Sequence, residues 1–345
     1  MANEARRERL LEAVRQHGSI TLSAFALKEN VSEMTVRRDA RDLERGGLVE
    51  RFHGGLRLAS STGAATTRST PITVGLVVPD PNYYFPEIVA GATGRAAAAN
   101  TKVRLGVSRY TASTELKQVH ALLRSRVDAL IIAPTQPSES SLSTLLTEAR
   151  VPTVILERLI EPLDGLAQFD SIRSDHVGGA IKALRYLQSF GHRKIALLAS
   201  SSPTTTLIEQ GFLLNEPPHD VSEPLIVPPG DLDSEGVSQW IDRMLTQGAT
   251  AFIAHSDRLA FELMDQLAAR GVTVPADVSV IAYDDEYVGM APQPITAVAP
   301  AKRLLGSMAI DMVRAQVDGR QESLHVTVMP ALHTRTTVGE PRDQP

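Results

Sequence analysis

From Ile72 onward the chain alternates short apolar runs with helix-length amphipathic stretches, and this alternation constrains the fold more than any other feature. The runs are Ile72–Val78, Lys102–Val107, Ala129–Ala133, Val151–Leu156, Phe169–Arg173, Lys194–Leu198, Ala251–Ala254 and Val278–Ala282. Between them the helical period predicts helices, among them Glu87–Asn100, Ser138–Ala149, Val177–Phe190, Ser234–Gln247, Leu259–Arg270 and Lys302–Val317. Alternating βα units bury both faces of a parallel sheet under helices. The eight runs are too many for one compact sheet, so two α/β lobes are expected. Such lobes bind ligands in the cleft between them, at the carboxyl ends of the strands.

The first 58 residues have another texture. Glu4–Gln16 reads as a helix with Leu10, Leu11 and Val14 on its apolar side, stopped by His17-Gly18. Thr21–Glu29 reads as a second, short helix carrying Leu22, Phe25 and Leu27, closed by Asn30. A third begins at Ser32, a residue suited to N-capping, and ends at Gly46-Gly47. Within it Val36, Ala40 and Leu43 recur at i, i+4 and i+7 and form one buried stripe, while Met34, Arg38, Arg41 and Arg45 fall opposite. Leu48–Phe52 and Leu56–Leu58 then flank His53-Gly54-Gly55 as a hairpin. Three helices with a tight turn before the third make a helix-turn-helix, and the hairpin adds a wing. A row of arginines with no acid on its centre line points to DNA; the competing reading is a solvated surface helix.

Charge divides in the same place. Residues 1–58 hold eleven Arg and Lys against nine Asp and Glu, whereas the remainder carries a net charge of −7. A basic head on an acidic body suits a nucleic-acid module joined to something else. Residues 59–71 are small, polar and aperiodic and read as a flexible linker. With no cysteine there is no disulfide framework, thiol nucleophile or thiolate metal site. The start lacks an apolar signal-peptide core and no apolar run approaches a membrane span, so the expected compartment is the cytoplasm.

Ser32-Glu33-Met34-Thr35-Val36-Arg37-Arg38-Asp39, Leu43-Glu44-Arg45-Gly46-Gly47-Leu48 and His53-Gly54-Gly55 together resemble the DNA-binding head of the DeoR family of bacterial repressors. The likeness covers most of residues 4–58, with Ala40 standing where that family usually has a larger aliphatic residue. The rest resembles a different family. Gly75–Phe85, Arg126–Ile132, Gly191–Ala196 and Val274–Ile281 with Tyr283-Asp284-Asp285 follow, in order, the ligand-binding domain of LacI/GalR-type repressors, which has the periplasmic-binding-protein fold. The resemblances imply a chimera: a winged helix-turn-helix at 1–58, the linker, a two-lobed type I sensor at 72–338, and a tail at 339–345. Lobe 1 is expected at about 72–173 and 299–323, and lobe 2 at about 174–298 and 324–338. Neither a LacI-type head nor its hinge helix is present. Coupling between sensor and head is therefore expected through head spacing or head-to-sensor contacts.

Arg37, Arg38 and Arg41 can pair with phosphates or, bidentately, with guanine. The start of the third helix should sit deepest in the major groove, with Ser32 at its cap. Thr35 and Arg38 are expected to face bases, Met34 to lie near a thymine methyl, and Arg51 and His53 on the wing to touch backbone. The alternative for Arg37 is an ion pair with Glu33, Asp39 or Asp42. In the sensor, the resemblance implies a sugar-like effector held by Tyr84 and Phe85 after the first strand, Glu157, Asp175, Thr204 and Thr205, Asp257 and Asp284. The competing role for each carboxylate is a helix N-cap. Ile208 stands where many members have a ligand-binding arginine; Arg109 is the candidate substitute, and the competing reading of Arg109 is a plain surface residue. Ala299 replaces a usual glutamine.

No catalytic residues, metal or cofactor are expected. Ser174-Asp175-His176 and His255-Ser256-Asp257 hold triad residue types, but sequence neighbours point apart. There is no HExxH, P-loop or GxGxxG after a strand, and the nine histidines lack metal-ligand spacing. Gly91-Ala92-Thr93-Gly94 reads as close helix packing. The resulting expectation is a homodimeric, ligand-responsive regulator, a repressor of carbohydrate genes, with a double-stranded operator and a small effector as partners. The alternatives are an activator, a nucleoside or sugar-phosphate sensor, or a binding protein with a degenerate sensor.

Overall fold

Ser32 opens the third helix of the head: its Oγ accepts the Thr35 backbone N–H at 3.2 Å, satisfying a donor that helix geometry leaves orphaned. The computed structural model describes residues 2–17, 19–45, 49–52, 55–58, 71–136, 140–158, 169–214, 224–228 and 235–342. They fall into two units, residues 1–68 and 69–345. Gly46-Gly47, the wing tip with His53, linker residues 59–70 and tail residues 343–345 lie outside the described residues.

The head runs α1 (Ala2–His17), β1 (Ser19–Thr21), α2 (Leu22–Lys28), α3 (Glu33–Arg45), β2 (Val49–Phe52) and β3 (Gly55–Leu58). Val36, Ala40 and Leu43 are buried as their spacing predicts, against Leu10, Val14, Phe25, Val49 and Leu56. The turn into α3 is made by Asn30 at φ 52°, a left-handed conformation that asparagine tolerates. Arg6 pairs with Asp39 at 2.5 Å and Arg9 with Glu29 at 2.7 Å, tying α1 to α3 and to the end of α2. Strand β1, unforeseen in the sequence, pairs antiparallel with β3 and makes the wing three-stranded. Its three residues, Ser-Ile-Thr, are too few to show a period.

The body begins with β4 (Ile72–Val78), α4 (Phe85–Ala98), β5 (Thr101–Val107), α5 (Ala112–Arg124), β6 (Ala129–Ile132), α6 (Ser140–Ala149), β7 (Thr153–Leu156) and β8 (Asp170–Ser174). The chain crosses to a second lobe built of α7 (His176–Ser189), β9 (Ile195–Ser200), α8 (Thr205–Leu213), β10 (Leu225–Val227), α9 (Glu235–Thr246), β11 (Ala251–His255), α10 (Asp257–Ala269), β12 (Ser279–Tyr283) and β13 (Thr296–Ala299). It returns for α11 (Lys302–Val317) and β14 (His325–Val328), and ends with β15 (Ala331–His333) in lobe 2. The strand orders are β14-β8-β7-β6-β4-β5 and β10-β9-β11-β12-β13-β15. All neighbours are parallel except β15.

One lobe boundary differs from the expected one. Residues 324–328 belong to lobe 1 rather than lobe 2, because β14 pairs with β8. The last crossing therefore lies at Met329-Pro330. As an edge strand of half-exposed residues, β14 has no continuous apolar run to announce it.

The helix packing expected around Gly91 is real, though only half of the motif serves it. A Cβ at Gly91 would stand 2.0 Å from the Arg303 carbonyl oxygen, and one at Gly306 would stand 2.0 Å from the Ile88 carbonyl oxygen. The backbones of α4 and α11 thus touch where both helices lack side chains. A Cβ at Gly94 meets nothing within 4 Å. Gly306→Ala is expected to destabilise the body by about 1–3 kcal/mol through overpacking, whereas Gly94→Ala should stabilise it by up to about 1 kcal/mol through helix propensity. Urea melts of the two variants read the contrast.

Candidate effector cavity and DNA interface

The strand ends of both lobes converge on one small cavity of about 130 Å³. Lobe 1 contributes Tyr84 and Phe85 after β4, Tyr110 after β5, and Glu157 and Arg158 after β7. Lobe 2 contributes Ser200 at the end of β9 with Ser202 and Thr204 beyond it, His255 at the end of β11 with Ser256 beyond it, and Asp284 after β12. This is where a doubly wound fold places its ligands. The wall offers aromatic faces, hydroxyls, two acids and two basic groups.

Glu157 is buried and heavily bonded. Its Oε1 accepts the Tyr84 hydroxyl at 2.7 Å and the Ser174 hydroxyl at 2.8 Å, and its Oε2 accepts the Ser174 N–H at 3.0 Å. His176 Nε2 lies 3.6 Å from Oε2. Burial opposes its charge, but the His176 contact, the Ser174 N–H and the Tyr84 hydroxyl together hold the carboxyl below its ordinary range. His255 behaves in the opposite way for a base: burial lowers its pKa, against the pull of Asp284, whose Oδ2 lies 3.7 Å from Nε2. Burial also lowers His192. Both histidines take up a proton less readily in the fold, so the unfolded chain binds more protons than the folded one as pH falls below the ordinary value of 6.5. Stability is therefore expected to fall as pH drops through that window, and His192→Gln should flatten the slope of a melting-temperature profile between about pH 7 and 5.

The expected ligand residues divide. Tyr84, Phe85, Glu157, Thr204 and Asp284 line the cavity. Arg109 does not: it is exposed on the turn after β5, and the neighbouring Tyr110, half-exposed, lines the cavity in its place. The cationic group at the wall is Arg158, stacked 5.6 Å over the Tyr110 ring and donating to the carbonyls of Pro134 and Thr135. Asp175 is an N-cap, accepting Gly178 N–H at 2.8 Å. Thr205 is turned away, its hydroxyl donating to Ser200 O at 2.5 Å. Asp257 caps a different element: its carboxylate accepts the N–H groups of Asp285, Glu286, Tyr287 and Val288 at 2.6–3.2 Å. Ile208 is buried in the lobe 2 core. The sequence does not single out Tyr110, Arg158, Ser200, Ser202, His255 and Ser256 as ligand residues. Each sits beside a named residue or at a recognised strand end, which is the signal available.

In the head, Ser32 and Met34 are exposed, Met34 by 75%. Thr35 is half-buried, its Oγ1 2.8 Å from Ser32 Oγ. Arg37 pairs with Glu33 at 2.8 Å, the alternative anticipated for it. Asp39 and Asp42 are instead paired with Arg6 and Arg7 of α1. Arg38 and Arg41 are exposed and make no ion pair among the described residues. Arg51 lies on β2.

Family models match twice: a DeoR-like helix-turn-helix domain over residues 6–62 and a periplasmic binding protein-like domain over residues 184–338. The chain carries a DeoR-like head and a periplasmic-binding-protein-like body. It is similar to the HTH-type transcriptional regulator AscG of Escherichia coli (strain K12), 28% identical over 308 residues, covering 82% of this chain and 86% of that one. The HTH-type transcriptional repressor PurR of Vibrio atlanticus (strain LGP32) is 26% identical over 290 residues, 81% of this chain and 84% of that protein. Among solved structures, a dimeric Lac repressor with an 11-residue C-terminal deletion superposes with a TM-score of 0.65 at 26% identity, over 79% of this chain and 100% of that one. A LacI family transcriptional regulator from Enterococcus faecium with bound ribose gives 0.64 at 23% identity, over 78% and 100%. These similarities agree with the α/β fold of the body. Among the described residues no helix is long and apolar enough to cross a membrane.

Proposed function

We propose that the protein is a ligand-responsive transcriptional repressor of carbohydrate uptake or catabolism genes. A homodimer in the cytoplasm presents two heads to a symmetric operator, and a small sugar-like effector binds in the cavity and releases the DNA. The observation that carries this reading is the cavity wall: Tyr84 and Tyr110 offer ring faces, while Asp284, His255, Ser200, Ser202 and Thr204 offer hydrogen bonds suited to hydroxyls. The relatives are transcriptional regulators, which supports a binding rather than a catalytic role.

Arg158 favours a second reading of the effector. It is buried, it lines the cavity, and it makes no close ion pair among the described residues, the charges of Glu115 and Glu157 reaching it only at longer range. An anionic group on the sugar would supply one. A thermal-shift panel of neutral sugars, sugar acids, sugar phosphates and nucleosides tests both readings. A binder present at about 100 times its Kd should add roughly 2.7 kcal/mol of stability and raise the midpoint. Loss of that shift in Asp284→Ala would assign the binder to the cavity. A panel with no shift at millimolar concentrations speaks against a sugar-like effector.

A further inference from the structure

Tyr83 is a residue to which neither the cavity nor the family resemblance assigns a role. It follows β4 in lobe 1, one residue before the cavity-lining Tyr84, and its side chain reaches lobe 2. The hydroxyl donates to Asp284 Oδ2 at 2.8 Å and accepts the Asp257 backbone N–H at 3.2 Å. Those partners sit at the carboxyl ends of β12 and β11. A second tyrosine crosses in the opposite direction: the Tyr287 hydroxyl donates to Asn82 O at 2.9 Å. The two rings meet at 6.0 Å between centroids.

Three features make this contact more than packing. Asp284 lines the cavity while Tyr83 does not, so the tyrosine orients the acid without filling the site. Burial, with the charges of Asp284 and Asp257, pushes the Tyr83 phenol far above its ordinary range, so it stays a donor at any working pH. Asp257, whose N–H holds the hydroxyl, also binds the N–H groups of residues 285–288 with its carboxylate. The latch is therefore anchored to the loop that carries Asp284.

We propose that Tyr83 is a positioning residue that holds the two lobes closed and presents Asp284 before any effector arrives. This rests on the reading of the cavity as an effector site. The hydroxyl supplies across the cleft a hydrogen bond of the kind a ligand hydroxyl would otherwise have to supply. The binding-competent state is then the populated one, and effector affinity is not reduced by the fraction of open molecules. The effector's task at this acid is reduced to the carboxylate face that Tyr83 leaves to the cavity.

The chain has no cysteine, so a label pair can be placed on the full-length protein with Ser113→Cys in α5 and Gln210→Cys in α8, both exposed and in different lobes. Double electron–electron resonance, with labelled chains diluted by unlabelled ones to suppress distances between subunits, reads lobe separation with neither effector nor DNA present. The expected wild-type distribution is a single short distance. Tyr83→Phe keeps the ring and loses the hydroxyl. It should shift the closed-to-open ratio by about tenfold or more, as for a hydrogen bond to a charged group, and a longer distance should appear. Tyr287→Phe, which leaves Asp284 untouched, should shift it less. A Tyr83→Phe distribution identical to wild type overturns the proposal. So does a wild type already open without ligand, whatever the variants do. Because no effector enters the measurement, failure here is separate from failure of the thermal-shift panel.

Discussion

Asp257→Ala is expected to lower the unfolding free energy of the body by roughly 3 kcal/mol or more, since four backbone N–H groups lose their acceptor and each unsatisfied buried donor costs about 1–3 kcal/mol. The carboxylate is fully buried and accepts from residues 285–288 at 2.6–3.2 Å, so little water can take its place. Asp257→Asn keeps one oxygen acceptor and should cost less. Chemical denaturation of both variants gives the ordering. The group also has a pH signature. Burial, with the negative charge of Asp284, pushes its carboxyl up to about 6 against the pull of the backbone donors. An acid raised in the fold favours the protonated folded state, so this contribution is present at low pH and is lost as pH rises from about 4 through about 6. His192 and His255 act in the opposite sense, and Asp257→Ala should steepen the acid limb that the histidines create.

Arg38→Ala is expected to cost about 1–3 kcal/mol of operator binding and to relax preference at one base-pair position. Arg38 is exposed on α3, opposite the buried stripe, and no acid among the described residues pairs with it. Arg37 provides the contrast. Its ion pair with Glu33 must be given up or shared before it can reach DNA, so Arg37→Ala should weaken binding less and nearly equally across sequences. Titration of a randomised operator library with each variant, at a fixed salt concentration, separates loss of affinity from loss of preference.

Much of the architecture was legible because it rests on periodicity. The stripe of Val36, Ala40 and Leu43 and the apolar strands of the body announce their own burial. What escaped was short or half-exposed: β1 and β14 have too few apolar residues to show a period. The cavity was legible to the strand end but not to the side chain. Backbone geometry decides whether Arg109 or Tyr110 turns inward, and both take positive φ there, 53° and 54°. The roles of Asp175 and Asp257 were ambiguous for a chemical reason, since a carboxylate at a helix start serves a ligand or a backbone donor equally well. Tyr83 was invisible because its partners, Asp257 and Asp284, lie on the other lobe.

The most direct test of a ligand-governed repressor is a closed thermodynamic cycle. Operator affinity is measured with and without a saturating effector identified by thermal shift, and effector affinity with and without operator. The two ratios should be equal, each about tenfold or more, with effector weakening DNA binding. Operator affinity unchanged at saturating effector would contradict the account.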